Sequence, residues 1–218
     1  MNHELEALVA KARDPSTPFE RLEVLVEHSE EDVRRAVLDN PNVCPTDEEG
    51  TLTTSLLETL AKSLPEEVAG HPLFVLHALV EPAEAMLGVV REVVRRTADA
   101  GLIEILLRTW GTDSWRVREA VARNPSTPPE TLRLLGNEAT ESAWAVREAV
   151  ARNPNTPIDT LRLLGNPATE SVWEVRVAVA ENPNTPVDVL RALGNEATES
   201  DGSVRDAAQK ALVERGLP

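Results

Sequence analysis

Cysteine occurs once in the 218 residues, tyrosine is missing altogether, and aromatic side chains make up only 3%. A lone Cys44 excludes an intramolecular disulfide framework, a four-cysteine zinc site and a cysteine-ligated iron–sulfur cluster. With so few rings, any core must be aliphatic. No apolar run approaches the roughly 20 residues that a membrane-crossing helix needs. The charged opening MNHELEALVAKARD does not read as a signal peptide. These absences lead us to expect a cytoplasmic protein without membrane contact. Catalytic signatures are missing as well: there is no GxSxG, P-loop or GxGxxG. His3, His28, His71 and His77 are scattered, with no HExxH or other ligand spacing. Cys44 sits beside Pro45 as a small capping residue, and the nearby Asp47, Glu48 and Glu49 oppose a reactive thiolate. We therefore expect no metal, no cofactor and no enzymatic activity.

What is present is acid, arginine and proline. The formal net charge is -15, from 37 acidic against 22 basic side chains. Residues 1–110 hold 21 acids and 10 bases, net -11, and residues 111–218 hold 16 and 12, net -4. Such a balance serves solubility or attracts a basic partner. Prolines number 16 against 10 glycines, and arginines outnumber lysines 19 to 3.

The prolines fall in phase with an internal repeat. SWRVREAVARNPSTPPETLRLLGNEATE begins at Ser114, AWAVREAVARNPNTPIDTLRLLGNPATE at Ala143, and VWEVRVAVAENPNTPVDVLRALGNEATE at Val172. Trp115, Trp144 and Trp173 are 29 residues apart, as are Pro125, Pro154 and Pro183. A partial unit follows, with Val204 in phase with Val175. The first half carries weaker copies: ARDPSTPFERLEVL, DVRRAVLDNPNVCPTDE, LPEEVAGHP and VREVVRRTADAGLIEILL. Elbow positions then fall at 14, 40, 71, 97, 124, 153 and 182, so about seven to eight units cover the chain. The domain reading is one solenoid over 1–218, divergent and acidic over 1–110 and regular over 111–218. The stretch 42–64 is the longest irregular one.

Each unit reads as two short helical segments joined by a proline elbow. Val117, Ala120 and Val121 share one helical face. Asn124-Pro125 ends that helix, because the residue before proline is pushed out of the α region. Thr127-Pro128-Pro129-Glu130 then has the form of an N-cap with a capping box, repeated at Thr156, Thr185 and Thr17. Leu132 and Leu135 face inward. Gly136, Gly165 and Gly194 are expected to stop the second helix in a left-handed C-cap. Neither segment is long enough to stand alone, so stacking of neighbours must make the core. The fold class is all-α, with no β-sheet.

VREAVARNPSTPPETLRLL, VREAVARNPNTPIDTLRLL and VRVAVAENPNTPVDVLRAL resemble leucine-rich repeat variant units. The match is close over 111–218 and loose over 1–110. The resemblance implies an α-helix followed by a 3₁₀ helix in each repeat, stacked into a right-handed α-solenoid. The family's founding example carries an N-terminal iron–sulfur module, for which Cys44 alone is too little. The family shares no enzymatic activity.

Stacked repeats turn equivalent residues into columns. Arg34, Arg91, Arg118, Arg147, Arg176 and Arg205 form one. It reads either as an anion-binding ridge or as a ladder paired with the chain's own Glu141, Glu170 and Glu199. Arg133, Arg162 and Arg191 form a second near the end of the second helix, where cations favour the macrodipole. Trp115, Trp144 and Trp173 either pack between repeats, beside Ala122, Ala151 and Ala180, or form an exposed aromatic stripe. Asn124, Asn153 and Asn182 stand at the elbows, where asparagine bonds turn backbone. Arg118, Arg147, Arg176, Trp115, Trp144 and Trp173 are the candidate partner-binding residues. The expected role is a non-catalytic scaffold for a protein or peptide partner of basic character. The alternative is a nucleic-acid-binding protein similar to helical-repeat alkylpurine DNA glycosylases. Net charge opposes it, because phosphate neutralisation dominates such affinity.

Overall fold

A computed structural model describes residues 3–46, 51–80 and 84–217. The acidic run at 47–49 lies outside the described residues. The chain folds as two compact units, Met1–Thr97 and Ala98–Pro218. The first holds α1 (His3–Arg13), α2 (Phe19–Leu25), α3 (Glu31–Leu38), α4 (Ser55–Ala61), α5 (Pro65–Gly70), α6 (Pro72–Phe74) and α7 (Leu87–Arg96). A π-helical stretch, Val75–Val80, continues α6, and a 3₁₀ turn, Glu84–Met86, leads into α7. The second holds α8 (Ala100–Trp110), α9 (Trp115–Arg123), α10 (Pro129–Leu135), α11 (Trp144–Arg152), α12 (Ile158–Leu164), α13 (Trp173–Glu181), α14 (Val187–Leu193) and α15 (Gly202–Glu214). No strand occurs among the described residues, only an isolated bridge between Thr46 and Leu52. None of the described helices is long and apolar enough to cross a membrane. The change in repeat regularity at 110/111 falls one helix later than the division into units: α8 belongs with the second.

Odd-numbered helices are the first segments of the repeats and even-numbered ones the second. In Ala98–Pro218 the first helices α9, α11, α13 and α15 lie side by side in chain order. Val117, Ala120 and Val121 are buried, as are their equivalents in α11 and α13. Ala122, Ala151 and Ala180 are fully buried too, so these helices are apolar on two sides, and small residues let them approach. The second helices contribute Leu132, Leu135, Leu161, Leu164, Leu190 and Leu193. A fully buried leucine contributes about 1.5–3 kcal/mol, whereas a seven-residue helix in water has no stability of its own. Packing, not propensity, holds the second segments, which here are α-helical.

The elbows depart from the expected caps. Thr127 does not cap α10, which has Pro128 at its N-cap with no side-chain bond. Its hydroxyl instead donates to the carbonyl of Val121 at 2.5 Å. Thr156 and Thr185 do the same to Val150 and Val179, and Thr17 to Lys11. Each threonine thus adds a second donor to a carbonyl that already accepts the N–H of the residue before the elbow proline. Glu130, meant to complete the box, pairs with Arg133.

Asparagines lock consecutive elbows together. Asn153 Nδ2 donates to the carbonyls of Ala122 (2.7 Å) and Asn124 (2.8 Å), one repeat back, while its Oδ1 accepts from Asn155 N–H. Asn182 repeats this on Ala151 and Asn153. In Met1–Thr97, Asn40 does so on Ala12 and Asp14, which makes the weak first copies true repeats. His71 stands at the next elbow, and its Nδ1 accepts from Leu73 N–H as the asparagine oxygen would. Burial holds the His71 imidazole below its ordinary pKa, which keeps that acceptor available.

The glycines after α10, α12 and α14 are not left-handed: their φ values are -88°, -87° and -80°. Close approach explains the first two. A Cβ on Gly136 would lie 2.6 Å from Thr160 Cγ2 of the next repeat, and one on Gly165 2.9 Å from Val189 Cγ1. At Gly194 the nearest atom is 3.3 Å away. Gly136→Ala should therefore destabilise by about 1–3 kcal/mol through overpacking, and Gly194→Ala should be neutral or slightly stabilising. Urea unfolding of the two variants checks the order.

Candidate functional site

Two of the candidate columns separate by burial. Arg147 and Arg176 are buried, with 2% and 5% exposure, and so are Glu141, Glu170 and Glu199. Each arginine grips the glutamate that precedes the next first helix. Arg118 Nε and Nη2 donate to Glu141 at 2.5 and 3.0 Å. Arg147 does the same to Glu170 at 2.6 and 3.0 Å, and Arg176 to Glu199 at 2.6 and 2.9 Å. The remaining nitrogen, Nη1, donates to a carbonyl in the loop before the arginine's own helix: Gly111, Glu141 and Glu170 in turn. The carboxylate also accepts an amide two residues on, from Ala143, Val172 and Asp201. So Glu141 and Glu170 each join two repeats, by carboxylate to the preceding arginine and by carbonyl to the following one.

The electrostatics agree with closed pairs. Hydrogen bonds from Arg147 to Glu170 hold the guanidinium above its ordinary pKa, against the pull of burial. Burial alone would raise the Glu199 carboxyl. Bonds from Arg176 and from the Asp201 amide outweigh it and leave the pKa below the usual glutamate value. Arg118, Arg147 and Arg176 were candidates for partner binding, but their donors face inward and are engaged. They are a structural ladder.

The second arginine column also bridges repeats, at the surface. Arg133 Nε meets Asp159 at 3.0 Å, and Arg162 Nη2 meets Asp188 at 3.0 Å. The partner is a carboxylate on the next second helix, not only the end of the arginine's own helix dipole. The hydrogen bond from Arg133 holds Asp159 below the usual aspartate range, and Arg162 does the same to Asp188. Exposed pairs of this kind contribute little to stability.

The tryptophans lie outside the core. Trp115, Trp144 and Trp173 are the first residues of α9, α11 and α13 and are 39%, 47% and 42% exposed. The expectation of packing beside Ala122 fails for an axial reason. Side chains tilt toward a helix's N-terminus, so a ring on the first residue overhangs the helix end. Side by side on adjacent helices, the three rings form a stripe, one per repeat. Arg116 lies over the Trp115 ring, its Cζ 4.8 Å from the centroid. The corresponding positions are Ala145 and Glu174 in the next two repeats, so those rings carry no such cation. Cys44 is buried, and burial raises its thiol pKa.

Paired helices, proline elbows and cross-repeat ladders of asparagine and arginine define an all-α repeat protein of the solenoid type. Residues 115–137, 144–166 and 173–195 match the family profile described as leucine rich repeat variant. A solved structure titled "a leucine-rich repeat variant with a novel repetitive protein structural motif" is 26% identical. That alignment spans 95% of this chain and 81% of the other, with a TM-score of 0.50. These three segments of Ala98–Pro218 are leucine-rich repeat variant repeats. No curated protein matches it.

Proposed function

We propose that this repeat protein is a non-catalytic scaffold that docks a basic protein or peptide segment on the tryptophan stripe. One observation carries the reading: three large rings, regularly spaced, stand open to solvent in a chain that has only six aromatic residues. Exposed tryptophans are strong anchors in protein interfaces. Arg116 on Trp115 shows that the ring face accepts a guanidinium, and Trp144 and Trp173 offer the same face to one from outside. The net charge of -15 favours a cationic partner.

The test is fluorescence titration with an arginine-rich peptide and with an acidic control. The basic peptide should bind and perturb tryptophan emission, and the pair Trp144→Ala and Trp173→Ala should weaken it about tenfold. Equal affinity for the acidic control, or unchanged affinity in the double variant, would sink the reading. The nucleic-acid alternative drew on the arginine and tryptophan columns, and of these the arginines are engaged with glutamates. A mobility shift at low salt is its check, and no shift is expected.

A further inference from the structure

The arginine–glutamate ladder is reversed at one place. Counted from the start of α9, α11 and α13, the arginine is the fourth residue, and the glutamate stands three residues ahead of the next first helix. A serine follows that glutamate: Glu141-Ser142, Glu170-Ser171, Glu199-Ser200. In Met1–Thr97, α3 starts at Glu31, so its fourth residue is Arg34. The next first helix, α5, starts at Pro65, and three residues ahead of it stands Lys62, followed by Ser63. In that register a base stands where the regular repeats have the acid, although Lys62 directly follows α4 and is exposed.

Arg34 is seated as the ladder arginines are. Its Nη1 donates to the carbonyls of His28 and Ser29 at 2.6 and 2.8 Å. Arg205 does the same to Glu199 and Ser200 at 2.9 and 2.7 Å. The edge that in Arg118, Arg147 and Arg176 holds the carboxylate is unfilled, as it is at Arg91, whose Nε is also buried without a hydrogen-bond partner. Arg34 Nε is buried and has no hydrogen-bond partner. A pocket of about 370 Å³ opens there, lined by Arg34, Lys62, Thr59 and Ser63, with the exposed Glu27 also in its wall. Lys62 is exposed, and no ion pair with it is seen among the described residues.

We propose that this pocket binds a phosphate group in the position of the missing carboxylate. The Nε edge of arginine suits an oxyanion, and a buried donor without a partner is unfavourable until one arrives. At Arg118, Arg147 and Arg176 the site balances one positive charge with one negative. Here Arg34 and Lys62 line the pocket against Glu27 alone, which leaves a positive lining for an anion to offset. The hydroxyl of Thr59 provides a further donor for a group with more acceptor oxygens than a carboxylate has, and that of Ser63 can turn to it from its long 3.4 Å bond to the Leu60 carbonyl. The site does not depend on the tryptophan stripe.

Calorimetric titration with inorganic phosphate, at ionic strength held constant with chloride, tests this. The wild-type chain should bind one phosphate saturably at millimolar concentration. Lys62→Glu changes an exposed residue and rebuilds the ladder pair with Arg34. It should weaken phosphate binding at least tenfold and raise the unfolding temperature in the absence of phosphate. Trp144→Ala should leave phosphate binding unchanged. Absence of saturable binding to the wild type, or undiminished binding to Lys62→Glu, would overturn the proposal. Acetate binding as tightly as phosphate would overturn the choice of phosphate.

Discussion

Glu170→Ala is expected to destabilise Ala98–Pro218 by about 3–5 kcal/mol, because it removes the bonded counter-charge of a buried guanidinium and leaves only Glu138, 3.9 Å from Arg147 Nη2. Glu170 is fully buried and accepts three hydrogen bonds, two from Arg147 and one from the amide of Val172. None of these donors reaches water when the carboxylate is removed. The pair itself need not be strongly stabilising, since desolvation of two charges offsets much of their attraction. The two effects separate experimentally. Arg147→Met combined with Glu170→Leu removes both charges and should recover most of the stability lost by Glu170→Ala alone. All four tryptophans lie in Ala98–Pro218, so their emission during urea unfolding reports on this unit. A loss under about 1 kcal/mol for Glu170→Ala would class the pair with exposed ones and contradict its burial.

Asn153→Ala should cost about 2–4 kcal/mol, from the Ala122 carbonyl and the Asn155 amide left unsatisfied at roughly 1–3 kcal/mol each before relaxation and water entry, while the Asn124 carbonyl keeps the Thr127 N–H. The carbonyls of Ala122 and Asn124 lose a donor, and the amide of Asn155 loses its acceptor. Two of those groups belong to the preceding repeat, so the substitution loosens a junction and not merely a turn. Asn153→Asp separates the roles. Aspartate keeps the acceptor for Asn155 but cannot donate to the two carbonyls, and it brings a buried charge toward them. It should therefore be at least as damaging as alanine. If aspartate were tolerated, the bonds to Ala122 and Asn124 would not be what holds the elbows together. Hydrogen exchange at the amides of Asn155 and Thr156 is a second measure of the same junction.

The repeat, its two segments and the inward residues were legible because period, proline and aliphatic residues stay in phase. The pairing of Arg118, Arg147 and Arg176 with Glu141, Glu170 and Glu199 was visible as one of two readings, since both columns share a period and hold a constant offset. Periodicity could not say which reading held, because it carries no information about burial. The tryptophans show the limit most clearly. A helical wheel places Trp115 near Ala122 in angle but ignores height along the axis. The ring sits at the first residue and the alanine seven residues on, so one overhangs and the other packs. Thr127 and Gly136 misled for a related reason. A threonine before proline suits an N-cap, yet its hydroxyl does as well donating to the previous helix. A glycine after a helix suits a left-handed cap, yet it also suits a place where the next repeat comes too near for a Cβ. Lys62 is recognisable as the ladder's odd member only once the helix starts are known, because the loop ahead of α5 has its own length.

The two-way role of Glu141 and Glu170 has an evolutionary consequence. Each hands its carboxylate backward and its carbonyl forward, so a block cut from one glutamate to the next carries both halves of the joint. Tandem duplication or loss of such a block rejoins like ends to like ends. The chain can therefore grow or shrink by whole periods without a compensating change elsewhere, whereas a splice of any other length leaves a charge stranded inside. The near-identity of the blocks beginning at Ser114, Ala143 and Val172 is what recent copying under that rule would leave behind.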